Sequence, residues 1–187
     1  MRSRFHVAAW LLGATLLLAA CSNHFGAGIT ELPAARGWQP LPIGSWVLND
    51  GVEARAMAFC PRDACVRQGF AALIALEGRQ ADRVEQALTA DPARLAREFA
   101  RAAAAGKDTK PKRPARPEPP KSDTAVTRFA EADANGLLVE IRAREGGKSA
   151  FTAVLSGRDA GRLVIAIGVS PQAEAARTQA LAAWRDR

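Results

Sequence analysis

An antiparallel α+β fold, a sheet of hairpins and a meander with helices packed on one face, is predicted for residues 44–187 by three features of the sequence. Short strand-like runs are punctuated by glycine-bearing turns, among them Asn49-Asp50-Gly51, Asn135-Gly136 and Gly146-Gly147. A strand run gives way to a helical pattern twice, which argues for helices segregated beside an antiparallel sheet. Helix-opening Asx/Ser-Pro pairs, Asp91-Pro92 and Ser170-Pro171, mark where helices begin.

The elements follow in order. Ser45 to Leu48 and Val52 to Phe59 flank the Asn-Asp-Gly turn as a hairpin, and Phe70 to Leu76 is apolar on both strand faces, as a central strand should be. Gln80 to Leu88 reads as a helix with Ala81, Val84 and Leu88 on one side. Asp91 caps a second helix, with Leu95, Phe99 and Ala102 facing inward. Gly106 to Asp123 then breaks all periodicity and is expected as an exposed loop that interrupts the domain.

Four more strand runs complete the sheet. Val126 to Ala132 and Leu137 to Arg144 flank Asn135-Gly136, Phe151 to Leu155 continues the meander, and Leu163 to Val169 is apolar at nearly every position. The last helix, opened by Ser170-Pro171, places Ala173, Ala176, Ala180, Leu181 and Trp184 on one face, opposite Arg177, Arg185 and Asp186. Trp184 reads as a core anchor. One domain with a long loop fits the small number of apolar residues in each half, with two small lobes as the alternative.

The amino terminus carries different information. Met1 to His6 is a short basic head without an acid, and an apolar run of about fourteen residues follows from Val7 to Ala20. That run is too short for a membrane span and fits a signal-peptide core. It ends in Leu18-Ala19-Ala20-Cys21, which resembles the lipobox of bacterial lipoproteins, a resemblance confined to residues 1–22. The resemblance implies cleavage before Cys21, a diacylglyceryl thioether on its sulfur and a third acyl chain on the new amino group, so that the partner of Cys21 is a lipid bilayer. Two or more chains give stable anchoring, since each buried methylene contributes about 0.8 kcal/mol. Ser22 stands where an Asp favours inner-membrane retention in enterobacterial lipoproteins, so the same resemblance favours the outer membrane. The expected location is the cell envelope, facing the periplasm. Residues 1–20 are then a cleaved signal and residues 21–43, rich in Gly and Pro, a flexible tether that Trp38 ends by docking on the domain.

With Cys21 carrying lipid, Cys60 and Cys65 remain as one pair in Cys60-Pro61-Arg62-Asp63-Ala64-Cys65. Pro61 and Asp63 favour a tight turn, and a disulfide suits an oxidising compartment. Closing so short a loop stabilises by about 2 kcal/mol in the chain-entropy model. Redox-active pairs use a C-x-x-C spacing at a helix start, which this is not.

Removal of the signal takes Arg2 and Arg4 and no acid, lowering the formal charge from +7 to +5. The positive charge is concentrated in the loop, where Pro111, Pro114, Pro117 and Pro120 recur every third residue and share one edge of a polyproline II helix, while Lys112, Arg113 and Arg116 project elsewhere. These residues form a possible partner-binding loop for an envelope protein or an anionic envelope polymer; the other reading is a solvated spacer. No nucleic-acid partner is expected of an exported chain.

The only histidine beyond the signal is His24, so no histidine-based triad can be built in residues 44–187, and no metal ligand set or cofactor is assigned. No catalytic residue is assigned either. Asp63, Glu131, Asp133, Glu140 and Glu145 qualify by chemistry alone, as solvated turn and strand positions. The sequence therefore leads to a membrane-anchored envelope lipoprotein acting as a noncatalytic binding module. The alternative is a carboxylate-dependent envelope hydrolase, which requires two acids facing each other across a cleft.

Overall fold

A computed structural model describes residues 28–41, 52–96, 122–131, 133–144 and 146–187. It is mostly sheet with some helix, in keeping with the α+β class. Seven strands, β1 (Gln39–Pro40), β2 (Val52–Cys60), β3 (Gly69–Leu76), β4 (Ser122–Glu131), β5 (Ala134–Ala143), β6 (Ser149–Asp159) and β7 (Arg162–Ser170), form one sheet in the order β1-β2-β3-β7-β6-β5-β4. Every neighbouring pair is antiparallel. The two most apolar runs, β3 and β7, lie side by side at the centre, where both of their faces are taken out of water.

Two helices cover the sheet, α1 (Gly78–Ala90) and α2 (Ala173–Arg185). Alternation along β7 shows where each one packs. Val164 and Ala166 join Leu73, Leu155, Ala176, Ala180 and Trp184 in one buried cluster, whereas Leu163 and Ile165 join Leu76, Ala81 and Leu88 in another. The helices thus lie on opposite faces, which corrects the expectation of helices on one face. Because β3 and β7 are apolar on both sides, their sequences demand two cover layers without saying which helix supplies which.

Local chemistry explains the remaining elements. Glu77 caps α1 in extended geometry, and Gly78 takes a left-handed φ of 56°. Arg158 of β6 ties α1 to the sheet through Glu85 (2.6 Å) and Asp82 (2.7 Å), and these carboxylates, Glu85 first, hold its guanidinium above its ordinary pKa. Asp91 ends α1 and accepts from the Arg94 N–H (2.9 Å), so it caps the helical residues 92–96 as expected, with Leu95 against the core. The expected strand at Ser45 to Leu48, the Asn49-Asp50-Gly51 turn, and Phe99 and Ala102 lie outside the described residues.

Several expected boundaries move, and β4 already begins at Ser122, inside the 106–123 stretch expected as loop, because Ser122 and Asp123 pair with Ala143 and Arg142. Glu131 pairs with Ala134, so Asn135-Gly136 does not make the β4–β5 turn and lies within β5. Gly136 is needed there for another reason: it faces Phe129 across the ladder, and a Cβ on it would come within 2.6 Å of the Phe129 ring. Helix α2 begins at Ala173, not at Pro171, because Ser170 still pairs with Phe151 at the end of β7. The Ser170 hydroxyl instead accepts from the Gln172 N–H (3.4 Å).

The β6–β7 hairpin closes through Ala160 and Gly161, with φ values of 46° and 81°. Both central positions of such a turn require positive φ, which Ala tolerates poorly and Asn well. Ala160→Asn is expected to stabilise the protein by about 0.5–1 kcal/mol. A melting temperature unchanged or lowered in this variant argues against that turn geometry.

The amino-terminal segment is also packed. Ile29 and Trp38 are buried, the Thr30 N–H donates to Asp186 Oδ2 (2.6 Å), and Arg185 pairs with Glu31 (2.9 Å). Trp38 docks on the domain as expected, but the folded part begins by Ile29, well inside the 21–43 stretch expected as tether. The sequence hid this because the regular parts of Gly28 to Leu41 are one 3-10 turn (Ala34–Arg36) and the two-residue β1, too short to leave a periodic signature.

Candidate functional site

The connection between β2 and β3 builds the most distinctive surface feature. The Pro61 carbonyl accepts from Ala64 (3.3 Å) and Cys65 (2.9 Å) N–H groups, curling the chain so that Cys60 and Cys65 meet in a disulfide, Cα to Cα 5.9 Å. The bridge forms as the spacing predicts. It also clamps more than its own turn. Gly37, with φ 88°, lies so close that a Cβ would reach the Ala64 carbonyl at 2.6 Å and Cys65 Sγ at 2.8 Å, so the bridge packs directly on the amino-terminal segment.

Beside this loop is an open groove of about 590 Å³. Its floor is a row of strand neighbours, Phe59, Phe70 and Val169, continued by Ala150 of β6. These side chains lie on the face that α1 covers, but α1 packs at the opposite end of the strands, over Leu76 and Leu163, and leaves this end open. Val66 and Pro171 form walls. Arg62 and Arg67 stand on the rim, Arg62 held by a hydrogen bond from its Nε to Gln68 Oε1 (3.3 Å). Among the described residues no acidic side chain lines the groove. Val66, next to Arg67 in the chain, is 102% exposed, an apolar side chain wholly in solvent.

The sequence-derived residues fall elsewhere. Cys21 and the proline-rich loop residues Pro111, Lys112, Arg113, Pro114, Arg116, Pro117 and Pro120 lie outside the described residues, as does Glu145. Among the acids considered, Asp63 is exposed on the disulfide loop and Glu131 is half-buried at the end of β4. Glu140 is engaged by Arg142 (2.7 Å) and Ser149 (3.1 Å). Asp133 accepts from Trp184 Nε1 (2.9 Å) and pairs with Arg187; the Trp184 hydrogen bond, aided by Arg187, holds its carboxyl below the ordinary Asp range. Asp133 and Glu140 are seven residues apart in the chain, roughly 20 Å along β5 at the strand rise. Glu140 and Asp133 thus pair with arginines, Asp133 also orients Trp184, and none of these described acids is among the groove's lining residues.

Sequence reasoning missed three features. The groove itself arises from strands distant in the chain. Gln179, on the covered face of α2, is buried with its Oε1 unpaired. Arg177, expected opposite the core, lies over the Phe129 ring at 4.8 Å. Val66 beside Arg67, four residues after Arg62, is the one signal that could have directed attention to the loop. Among the described residues no group of three His, Cys, Asp or Glu side chains could hold a metal ion, and no helix is long and apolar enough to cross a membrane. Comparison of the chain with protein-family models, with curated proteins and with solved structures finds no match.

Proposed function

We propose that the chain is a lipid-anchored protein of the bacterial cell envelope that acts as a noncatalytic binding module on the periplasmic side, with delivery to the outer membrane favoured by Ser22. The observation that carries this reading is the Cys60–Cys65 bridge: it uses both cysteines of the folded part, suits an oxidising compartment, and leaves Cys21 alone behind an apolar run and two alanines. A surface groove with an apolar floor, lined among the described residues by arginines and no acid, suits binding better than acid-base chemistry. The proposed partners are the bilayer through Cys21 and an envelope protein or anionic polymer through the proline-rich loop.

Metabolic labelling with a fatty-acid probe tests the anchor. Wild type is expected to take up label and fractionate with membranes, and Cys21→Ser to lose the label completely. A wild-type chain that stays unlabelled overturns the reading. In-cell crosslinking of the tagged protein then identifies the partner, and deletion of residues 110–121 tests the loop, with unchanged capture by the deletion protein counting against it.

A further inference from the structure

We propose that the groove end of the sheet docks on the anionic surface of the bilayer that holds the anchor, Val66 entering the headgroup region and Arg62 and Arg67 meeting lipid phosphates. This rests on the acylation of Cys21 proposed above. The loop that carries the three residues is fixed at its base by the Cys60–Cys65 bridge and by two hydrogen bonds to the Pro61 carbonyl. Val66 is therefore presented to solvent by a braced turn, and its exposure has no compensating contact within the protein. An apolar tip on a groove edge that also carries Arg62 and Arg67 is complementary to a headgroup layer that is apolar beneath and negatively charged above.

Charge and reach agree with this orientation. Arg62 and Arg67 outnumber Asp63 on the loop, and among the described residues the apolar floor behind it, Phe59, Phe70 and Val169, is lined by no acid that an anionic surface would repel. The chain enters the described fold nearby. A Cβ on Gly28 would sit 3.8 Å from Pro40 Cβ, and Pro40 pairs with Ala58, the neighbour of Phe59 on the groove floor. Six residues, 22–27, separate Cys21 from Gly28 in the sequence, and the seven steps span at most about 25 Å. An acylated Cys21 thus keeps this edge within that distance of the lipid surface. At so high an effective concentration, a contact too weak to recruit a free protein suffices to orient a tethered one.

Vesicle co-sedimentation of the mature chain with Cys21→Ser separates this proposal from the acylation reading, because no lipid anchor takes part. Vesicles of phosphatidylethanolamine and phosphatidylglycerol are expected to bind it, and phosphatidylcholine vesicles to bind it much more weakly. Each basic side chain at an anionic surface strengthens binding by roughly fivefold, so Arg62→Gln with Arg67→Gln is expected to weaken binding by about thirtyfold. Val66→Asp is expected to weaken it as well, with the circular dichroism spectrum and melting temperature unchanged in both variants. The proposal is overturned if wild type does not bind, or if the variants bind like wild type while deletion of residues 110–121 abolishes binding. It is equally overturned if the variants leave vesicle binding intact and change the oligomeric state in sedimentation, which would make the groove end a contact between copies of the chain.

Discussion

Gly168→Ala is expected to destabilise the protein by about 3 kcal/mol, the upper part of the range for over-packing, and to lower the melting temperature by roughly 6–12 °C. Gly168 lies in central β7 directly beneath α2, where a Cβ would run into the Ala176 carbonyl, approach the Ala180 nitrogen to 2.5 Å and Gln179 Cβ to 2.9 Å. The obstacles are helix backbone, which cannot step aside as a side chain can. The whole helix must rise, and Ala176, Ala180 and Ala183, each fully buried, lose contact with the sheet together. Gly157→Ala provides the internal comparison. Its Cβ would meet the Trp184 ring at 3.1 Å and the Asp133 carbonyl at an ordinary 3.6 Å, so its effect should be clearly smaller. Equal melting temperatures for the two variants, or a Gly168→Ala protein within a degree or so of wild type, would mean that α2 is not seated as described.

That close seat was half visible in the sequence. The alanine-rich face of α2 announced a helix able to approach its support closely, and the two-sided apolarity of Leu163 to Val169 announced a strand with cover on both sides. Gly168 is what joins the two facts, yet in the sequence it is one glycine in an apolar run. Strand membership was legible wherever a run was apolar or alternating, as in β3, β5 and β7. Side assignment was not, because the choice of which face a helix covers leaves no mark on a strand that is apolar on both faces. The Asn135-Gly136 pair misled for a related reason: its chemistry fits a turn, but the contact with Phe129 competes for the same glycine and places it inside β5.

The groove was the least legible feature of all. Phe59, Phe70 and Val169 belong to three strands spread over more than a hundred residues of sequence, and only the antiparallel register brings them into one row. Its openness depends on α1 stopping at the far end of the strands, a consequence of where the chain leaves β3. By contrast, the disulfide was readable from five residues of separation and one proline, because everything that forms it is local. Asp133 shows the same division. Its chemistry was evident in the sequence, while its task of holding Trp184 and Arg187 depends on a helix that begins forty residues later.

Trp184→Ala should have the largest effect of any side-chain truncation in α2, a loss of about 3–5 kcal/mol for removing a buried indole from this core. Trp184 is 4% exposed, packs over Gly157, and supports the Arg187 guanidinium at 4.3 Å from its ring. Trp184→Phe separates the ring from its polar handle. Phenylalanine keeps most of the apolar area and removes the Nε1–H that Asp133 accepts, and since the Asp133 carboxylate is exposed, water can take the place of the lost donor. The expected cost is therefore far below that of alanine. The two variants also differ from wild type in their response to acid. Because the fold holds the Asp133 carboxyl below its ordinary value, with the Trp184 hydrogen bond as the first cause, its stabilising contribution is complete above the unfolded-state pKa and is lost as pH falls through the lowered folded-state value. Removing the donor raises that folded value toward the unfolded one, so Trp184→Phe should lose less stability than wild type on acidification from about pH 5 to pH 2. Denaturant titrations of wild type, Trp184→Phe and Asp133→Asn across that range check the sign: the wild-type curve should fall more steeply, and the two single variants should resemble each other. If all three fall in parallel, the indole does not set the acid response of this corner of the fold.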